Sequence, residues 1–393
     1  VTAAGPIDLA IVVGTRPEAI KLAPVVLAAR AGSVVRPIVI ATGQHRDLVD
    51  PALATFGVAV DHRIDLDDRP RGGQADLFSA VLPRLESLIG ELGPHAVLVQ
   101  GDTASAVCGA LAGFWQRVPV VHLEAGLRSF DLGNPFPEEA YRKLIGQVTA
   151  LHLAPTPRAQ AHLLAEGIAA EHVRCIGNTV VDAAQVVAAS SEGDPRVRAI
   201  AERGRRLVLV TVHRRENWGA PLAGILDAIG TIVDAIDDIE VVLPVHPNPL
   251  VKGPVLDALG ATPRVHVVDP LDYPSLIGAL RQATLVLTDS GGIQEEAPAF
   301  ATPALVLRRT TERPEAVEAG CAALVGTDAD EVSARAIALL RDEAARGEMA
   351  HADNPFGDGR AAARAIECVA ALVGRGQPPA AWAPTGRPPG LVS

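Results

Sequence analysis

The sequence predicts an α/β protein of two Rossmann-like domains, with the active site in the cleft between them. Three observations carry that expectation. Short β-branched apolar runs alternate with Ala- and Leu-rich stretches of helical length. The apolar runs are nearly continuous, the pattern of parallel strands covered by helices on both faces. The alternation passes through six strands, breaks at the polar segment ASSEGDPRVRA (189–199), and then passes through six more. At 393 residues and 48% hydrophobic, the chain is long enough to fill two cores.

The first set of strands reads LAIVV (9–13), VVRPIVIATG (34–43), HAVLVQGD (95–102), VPVVHLE (118–124), LHLAP (151–155) and VRCIGN (173–178). The second reads RLVLVTVH (206–213), IEVVLPVH (239–246), RVHVVDP (264–270), TLVLTDSGG (284–292), PALVL (303–307) and AALVG (322–326). This sets an N-terminal domain at 1–185 and a C-terminal domain at 186–372. Residues 373–393, rich in Pro and Gly, are expected to be a disordered tail.

A net charge of −11 argues against a general nucleic-acid or anionic-membrane surface, while leaving room for a local basic pocket that takes a small anion. Cys108, Cys175, Cys321 and Cys368 have no CxxC or zinc spacing and read as buried free thiols of a reducing compartment. LAIVV is too short for a signal peptide, and no run of about 18 apolar residues occurs, so a cytoplasmic location is expected.

Parallel α/β sheets carry their functional residues just past the C-terminal ends of strands. Here GTRPEAIK (14–21), GDT (101–103), HLEAG (122–126), HRRENWG (213–219), PVHPNP (244–249) and TDSGGIQEE (288–296) all sit there. In the first, Pro17 suits a first helical turn, and Arg16 and Lys21 flank a helix N-terminus that favours anions. Read alone, the stretch equally suits a solvated helix start. Lys21 is one of only three lysines in an Arg-rich chain, which hints that a compact ammonium is wanted. Asp102 suits either chemistry or the N-cap of the next helix. Glu124 enters a Gly-containing turn directly from its strand, and Glu138 follows a Pro-Phe-Pro brace.

In the second half, His213 stands with two arginines at a strand exit, a natural phosphate clamp. Ser290, Gly291 and Gly292 would turn backbone N–H groups toward a diphosphate, with Glu296 a turn further on for ribose hydroxyls. Arg313 either faces the phosphates or is a solvated loop charge. GNTVVDA (177–183) reads as structural, and the motifs for NAD, P-loop, GxSxG and zinc-protease chemistry are missing. His62, His95, His152, His162, His172, His266 and His351 read as ordinary structural or surface histidines. The residues alone therefore describe a nucleotide-sugar site with acid/base carboxylates.

GTRPEAIK, TGQHR (42–46), GDT, HLEAGLRS, PFPEE, HRREN, DSGGIQEEAP, TTERPEAVEAG and NPFGDG (354–359) occur in this order, from about residue 8 to about 372. The pattern resembles the bacterial non-hydrolysing UDP-N-acetylglucosamine 2-epimerase family. The resemblance implies a glycosyltransferase-B type fold whose last helix crosses back to the first domain. It implies reversible conversion of UDP-GlcNAc to UDP-ManNAc by elimination of UDP to 2-acetamidoglucal and re-addition, without cofactor or metal, in a homodimer. By motif, Asp102, Glu124 and Glu138 match the catalytic carboxylates, and Lys21 and His213 match supporting residues. Arg16, Ser290, Gly291, Gly292, Glu296 and Arg313 match UDP contacts. The rivals are a hydrolysing epimerase releasing ManNAc and UDP, a glycosyltransferase on the same fold, and a catalytically idle sensor. Supply of a cell-surface polysaccharide and of secondary-metabolite sugars are both open.

Four positions depart from the pattern. Tyr141 replaces an Asn one turn from Glu138 and is expected to reshape the sugar pocket. Arg309 reverses a charge near Arg313. Leu276 replaces an aromatic that stacks on uracil. Gly73 stands where regulated members have Arg before Gln74, so activity is expected without marked dependence on UDP-GlcNAc as an activator.

Overall fold

A computed structural model describes residues 5–66, 73–245 and 247–384. His246 of the PVHPNP exit and residues 385–393 of the expected tail lie outside the described residues. The chain divides into two compact units. The first runs as far as Val186 and takes in Phe356–Ala383; the second holds Val187–Pro355.

The described residues of the first unit form a seven-stranded parallel sheet in the order β3-β2-β1-β4-β5-β6-β7. The strands are β1 (Ile7–Val13), β2 (Val35–Ala41), β3 (His62–Arg63), β4 (Ala96–Gln100), β5 (Val120–Leu123), β6 (Leu151–Ala154) and β7 (Val173–Cys175). Six match the runs read from sequence. The seventh, β3, pairs only Ile40 with His62 and Ala41 with Arg63, and two residues are too few to show a pattern. The second unit has six parallel strands in the order β10-β9-β8-β11-β12-β13. They are β8 (Arg206–Thr211), β9 (Ile239–Pro244), β10 (Val265–Val268), β11 (Ala283–Thr288), β12 (Ala304–Val306) and β13 (Ala322–Leu324).

The central strands of both sheets, β1, β4, β8 and β11, bury nearly every side chain, as unbroken apolar runs require, while the edge strands β3, β10 and β13 are only partly covered. Val12, Ile40, Val97 and Val99 meet Leu85 and Ile89 in the first core; Val208, Val210 and Val241 meet Ile225 and Ile229 in the second. All four cysteines are free and buried. In each unit the strand order reverses at one place, between β1 and β4 and between β8 and β11. Such switch points open a crevice past the strand ends.

The last helix, Ala361–Leu372, packs in the first unit against the helix Arg16–Ala31. Its N-cap residue, Arg360, offers no side-chain bond, so Asp182 accepts from Ala361 N at 3.2 Å and Ala362 N at 2.9 Å. The chain beyond it stays on this unit. Trp382 is buried and its backbone N–H donates to Cys175 O at 2.8 Å. The Pro/Gly-rich stretch is thus held as far as Trp382, by an aromatic anchor that composition alone does not weigh. No described helix is long and apolar enough to cross a membrane.

Candidate active site

At the end of β1 the chain turns at Gly14 because nothing larger fits: a Cβ there would lie 1.9 Å from Ser105 Oγ. Thr15 then caps the helix Arg16–Ala31, with Pro17 in its first turn. Sequence reading passed over Glu18. Its buried carboxylate accepts from Gly14 N (3.0 Å), Thr15 N (2.6 Å) and Thr103 Oγ1 (2.6 Å), lashing the β1 exit to the β4 exit. Burial pushes its pKa up to about 7, although these donors pull the other way. Arg16 is exposed, and no described residue bonds to it.

Lys21, a turn beyond Arg16, donates to Glu124 Oε1 at 2.5 Å. Glu124 leaves β5 with φ +63°, the left-handed region that costs a non-glycine residue roughly 1–2 kcal/mol. The turn continues through Gly126, where a Cβ would lie 2.2 Å from Ala159 O. The strain is offset by a dense set of bonds: Gln100 Nε2 donates to Glu124 Oε2, and Asn178 Nδ2 to Oε1 at 3.3 Å. At 8% exposure the carboxylate is fixed in place, with its charge balanced by Lys21. GNT, read as structural, thus contributes Asn178 to this cluster.

Asp102, one residue past Gly101 on the β4 exit, accepts from Arg142 Nε at 2.7 Å, with Arg142 Nη2 in an ion pair with the same Oδ2 at 2.7 Å. Arg142 also bonds Glu139 Oε2 at 3.1 Å. Glu139 is 0% exposed and accepts from Ser129 N and Phe130 N, so it braces the loop ahead of the Pro-Phe-Pro segment. Its neighbour Glu138 opens the helix Glu138–Val148, half-buried, and no described residue bonds its carboxylate. Of the expected carboxylates, two are held by cations and the third is left uncommitted among the described residues.

Tyr141 lies one turn along this helix from Glu138, close enough for that charge to act on its phenol. It shares the buried stripe of its helix with Ile145, tilts against Phe78 at 5.8 Å between ring centroids, and donates to Gln74 Oε1 at 3.0 Å. Burial raises its pKa first, with the charges of Cys108 and Glu138 adding.

In the second unit, His213 follows β8 with its side chain 51% exposed and its Nδ1 2.9 Å from Asp289 Oδ1. Asp289, at the end of β11, is 0% exposed. It accepts from His213 N (3.1 Å), Arg214 N (2.9 Å) and Asn217 Nδ2 (3.0 Å). Burial alone would raise its pKa; the His213 pairing and the other donors outweigh that and hold it below the usual carboxylate value. Sequence reading singled out His213 but not Asp289.

Ser290 uses its N–H on Thr288 Oγ1 at 3.0 Å, so of the expected trio of phosphate donors that one is spent internally. Gly291 and Gly292 begin the short helix Gly291–Glu296, and a Cβ on Gly291 would lie 3.6 Å from Arg214 Nη2. Arg214 is thus set over this turn, tethered to Glu312 at 3.3 Å. Glu296 is buried beside Tyr273, whose pKa burial and the Glu296 charge push well above its ordinary value. Arg313 bonds the buried Glu295 through Nε. Arg309 is exposed, while its neighbour Arg308 pairs with Glu216 at 2.7 Å. Leu276 is half-buried on the helix Tyr273–Gln282. No group of three or more metal-ligating side chains occurs among the described residues.

The family model described as UDP-N-acetylglucosamine 2-epimerase matches residues 27–370. The UDP-N-acetylglucosamine 2-epimerase of Escherichia coli K12 is 40% identical over 365 residues, 91% of this chain and 97% of its own. The co-structure of Staphylococcus aureus MnaA with UDP is similar at TM-score 0.86 and 38% identity, covering 96% of this chain and all of that one. The UDP-GlcNAc 2-epimerase of Neisseria meningitidis bound to UDP-GlcNAc is similar at TM-score 0.81 and 35% identity, covering 92% and 99%. Similarity that spans both units and nearly the whole of each relative shows that this chain belongs to the UDP-N-acetylglucosamine 2-epimerase family, and so to the isomerases.

Proposed function

We propose that the protein is a non-hydrolysing epimerase that interconverts UDP-GlcNAc and UDP-ManNAc in the cytoplasm, as a homodimer. The observation that carries this is the carboxylate set: Asp102 held by Arg142 and Glu124 held by Lys21 at neighbouring strand exits, with Glu138 at a helix start left uncommitted among the described residues.

The C2 proton of the sugar has no adjacent carbonyl, so its removal as a free carbanion is prohibitive. Elimination avoids the carbanion. One carboxylate takes the C2 proton, the C–H pair becomes the C1=C2 bond of 2-acetamidoglucal, and the C1–O pair leaves on the diphosphate. Re-addition of UDP at C1 with protonation of C2 from the other face gives the epimer. The reaction needs an acid and a base on opposite faces and donors for the departing charge. Asp102, Glu124 and Glu138 supply the first; His213, Arg214, Gly291 and Gly292 supply the second. Arg16 and Arg313 add positive charge for the nucleotide, and Glu296 takes the ribose.

The test is a product analysis. Incubation with UDP-GlcNAc should yield UDP-ManNAc at equilibrium, with only traces of free UDP. Stoichiometric free ManNAc and UDP would assign the hydrolysing reaction instead, and transfer of the sugar to an acceptor would assign a glycosyltransferase.

A further inference from the structure

Asp289 is a fully buried ionisable group of the second unit that the proposed reaction leaves without a role. A carboxylate has about four lone-pair sites. Here His213 N, Arg214 N, Asn217 Nδ2 and His213 Nδ1 each take up acceptor capacity of Asp289, at 2.9–3.2 Å. With no exposed surface and its lone pairs taken, Asp289 reaches a substrate only through His213. The two residues stand just past the ends of β8 and β11, the strands that flank the switch point, which Thr211 Oγ1 and Thr288 Oγ1 join at 2.7 Å.

We propose that Asp289 is the positioning residue of His213: it holds Nδ1–H, so that Nε2 is the nitrogen presented to the diphosphate. The inference rests on the proposed epimerase reading and deepens it. A carboxylate on Nδ1 fixes the ring's tautomer and rotation, and it balances the positive charge of a ring that carries a second proton on Nε2. That N–H then donates to the diphosphate oxygen that receives the C1–O electron pair. The same bond helps hold the oxygen in place for re-addition. An exposed histidine without such a partner divides its time among orientations and tautomers.

The test compares the full-length protein with Asp289→Asn, His213→Asn and the double variant. In Asp289→Asn the amide N–H2 can face Nδ1, which reverses the tautomer while leaving the volume unchanged. Turnover should fall about tenfold or more, the cost of one charge-assisted bond, and the Kd for UDP by calorimetry should weaken as well, because the same bond holds UDP between the two steps. The double variant should be no slower than His213→Asn alone, since Asp289 acts through the ring. A double variant slowed by the product of the two single effects would overturn the proposal. Independently of turnover, 15N spectra of histidine-labelled protein, taken at a pH where the His213 ring is neutral, should show its one proton on Nδ1 in the wild type and on Nε2 in Asp289→Asn. A wild-type His213 carrying its neutral-state proton on Nε2, or the same tautomer in both proteins, would also overturn it. Absence of UDP-GlcNAc turnover in the wild type would count against the epimerase reading, and the spectra would still decide the dyad.

Discussion

Glu138 is the carboxylate with most freedom, and Glu139 beside it has least. The pair in PEE thus divides into an uncommitted and a structural acid among the described residues. Glu138→Gln should abolish turnover while UDP binding survives; exchange retained at C2 would remove Glu138 from the mechanism. Arg142 joins the two kinds, since it holds Asp102 and the fully buried Glu139 together. Arg142→Ala leaves Glu139 without its cation, and breaking a buried pair in this way should cost about 3 kcal/mol in urea unfolding. A loss below about 1 kcal/mol would mean that the two backbone N–H groups suffice for Glu139. Tyr141→Phe tests where that ring lies. Losing only the bond to Gln74, it should cost about 1 kcal/mol and leave KM unaltered. A severalfold change in KM would return Tyr141 to the sugar site.

At the scale of elements, β5 and β6 pair His122 directly with His152 in the interior of the first sheet. His122 bonds Gly101 O at 2.7 Å, the loop that carries Asp102. Burial drives both rings to the neutral form, His122 to about 4 and His152 to about 3, from an ordinary 6.5. The unfolded chain therefore binds more protons than the folded chain between those values and 6.5, so stability is full above 6.5 and drains away as the pH falls. His152→Leu removes one such group. Its stability relative to wild type should rise by roughly 1 kcal/mol for each pH unit below 6.5, read by urea unfolding. A difference independent of pH would show that His152 already carries its proton.

Across the whole molecule, the strands were legible because parallel, doubly covered strands write themselves as continuous apolar runs, and the places of Asp102 and Glu124 because both acids follow the ends of such runs. What stayed hidden was pairing at a distance. Gln100 and Asn178 reach Glu124 across 24 and 54 residues, Arg142 reaches Asp102 across 40, and Asp289 reaches the His213 amide across 76. No local pattern marks such partners, which only the sheet order brings together. Tyr141 shows the converse limit: a motif position says which residue changed, not that its partners would be Gln74 and Phe78. Gly73, at the N-cap of the helix Gln74–Leu92, carries a prediction for the intact enzyme. With no guanidinium there, the rate should rise hyperbolically with UDP-GlcNAc, and the reverse reaction should run from UDP-ManNAc alone. A sigmoidal curve, or a reverse reaction silent until UDP-GlcNAc is added, would contradict this. The central claim is that a carboxylate of this site takes the proton from C2, and proton NMR of UDP-GlcNAc incubated with the enzyme in D2O tests it most directly. The account predicts loss of the C2 proton signal, with deuterium at C2 in both UDP-GlcNAc and newly formed UDP-ManNAc. UDP-ManNAc that retains its C2 proton, or no exchange at all, would contradict it.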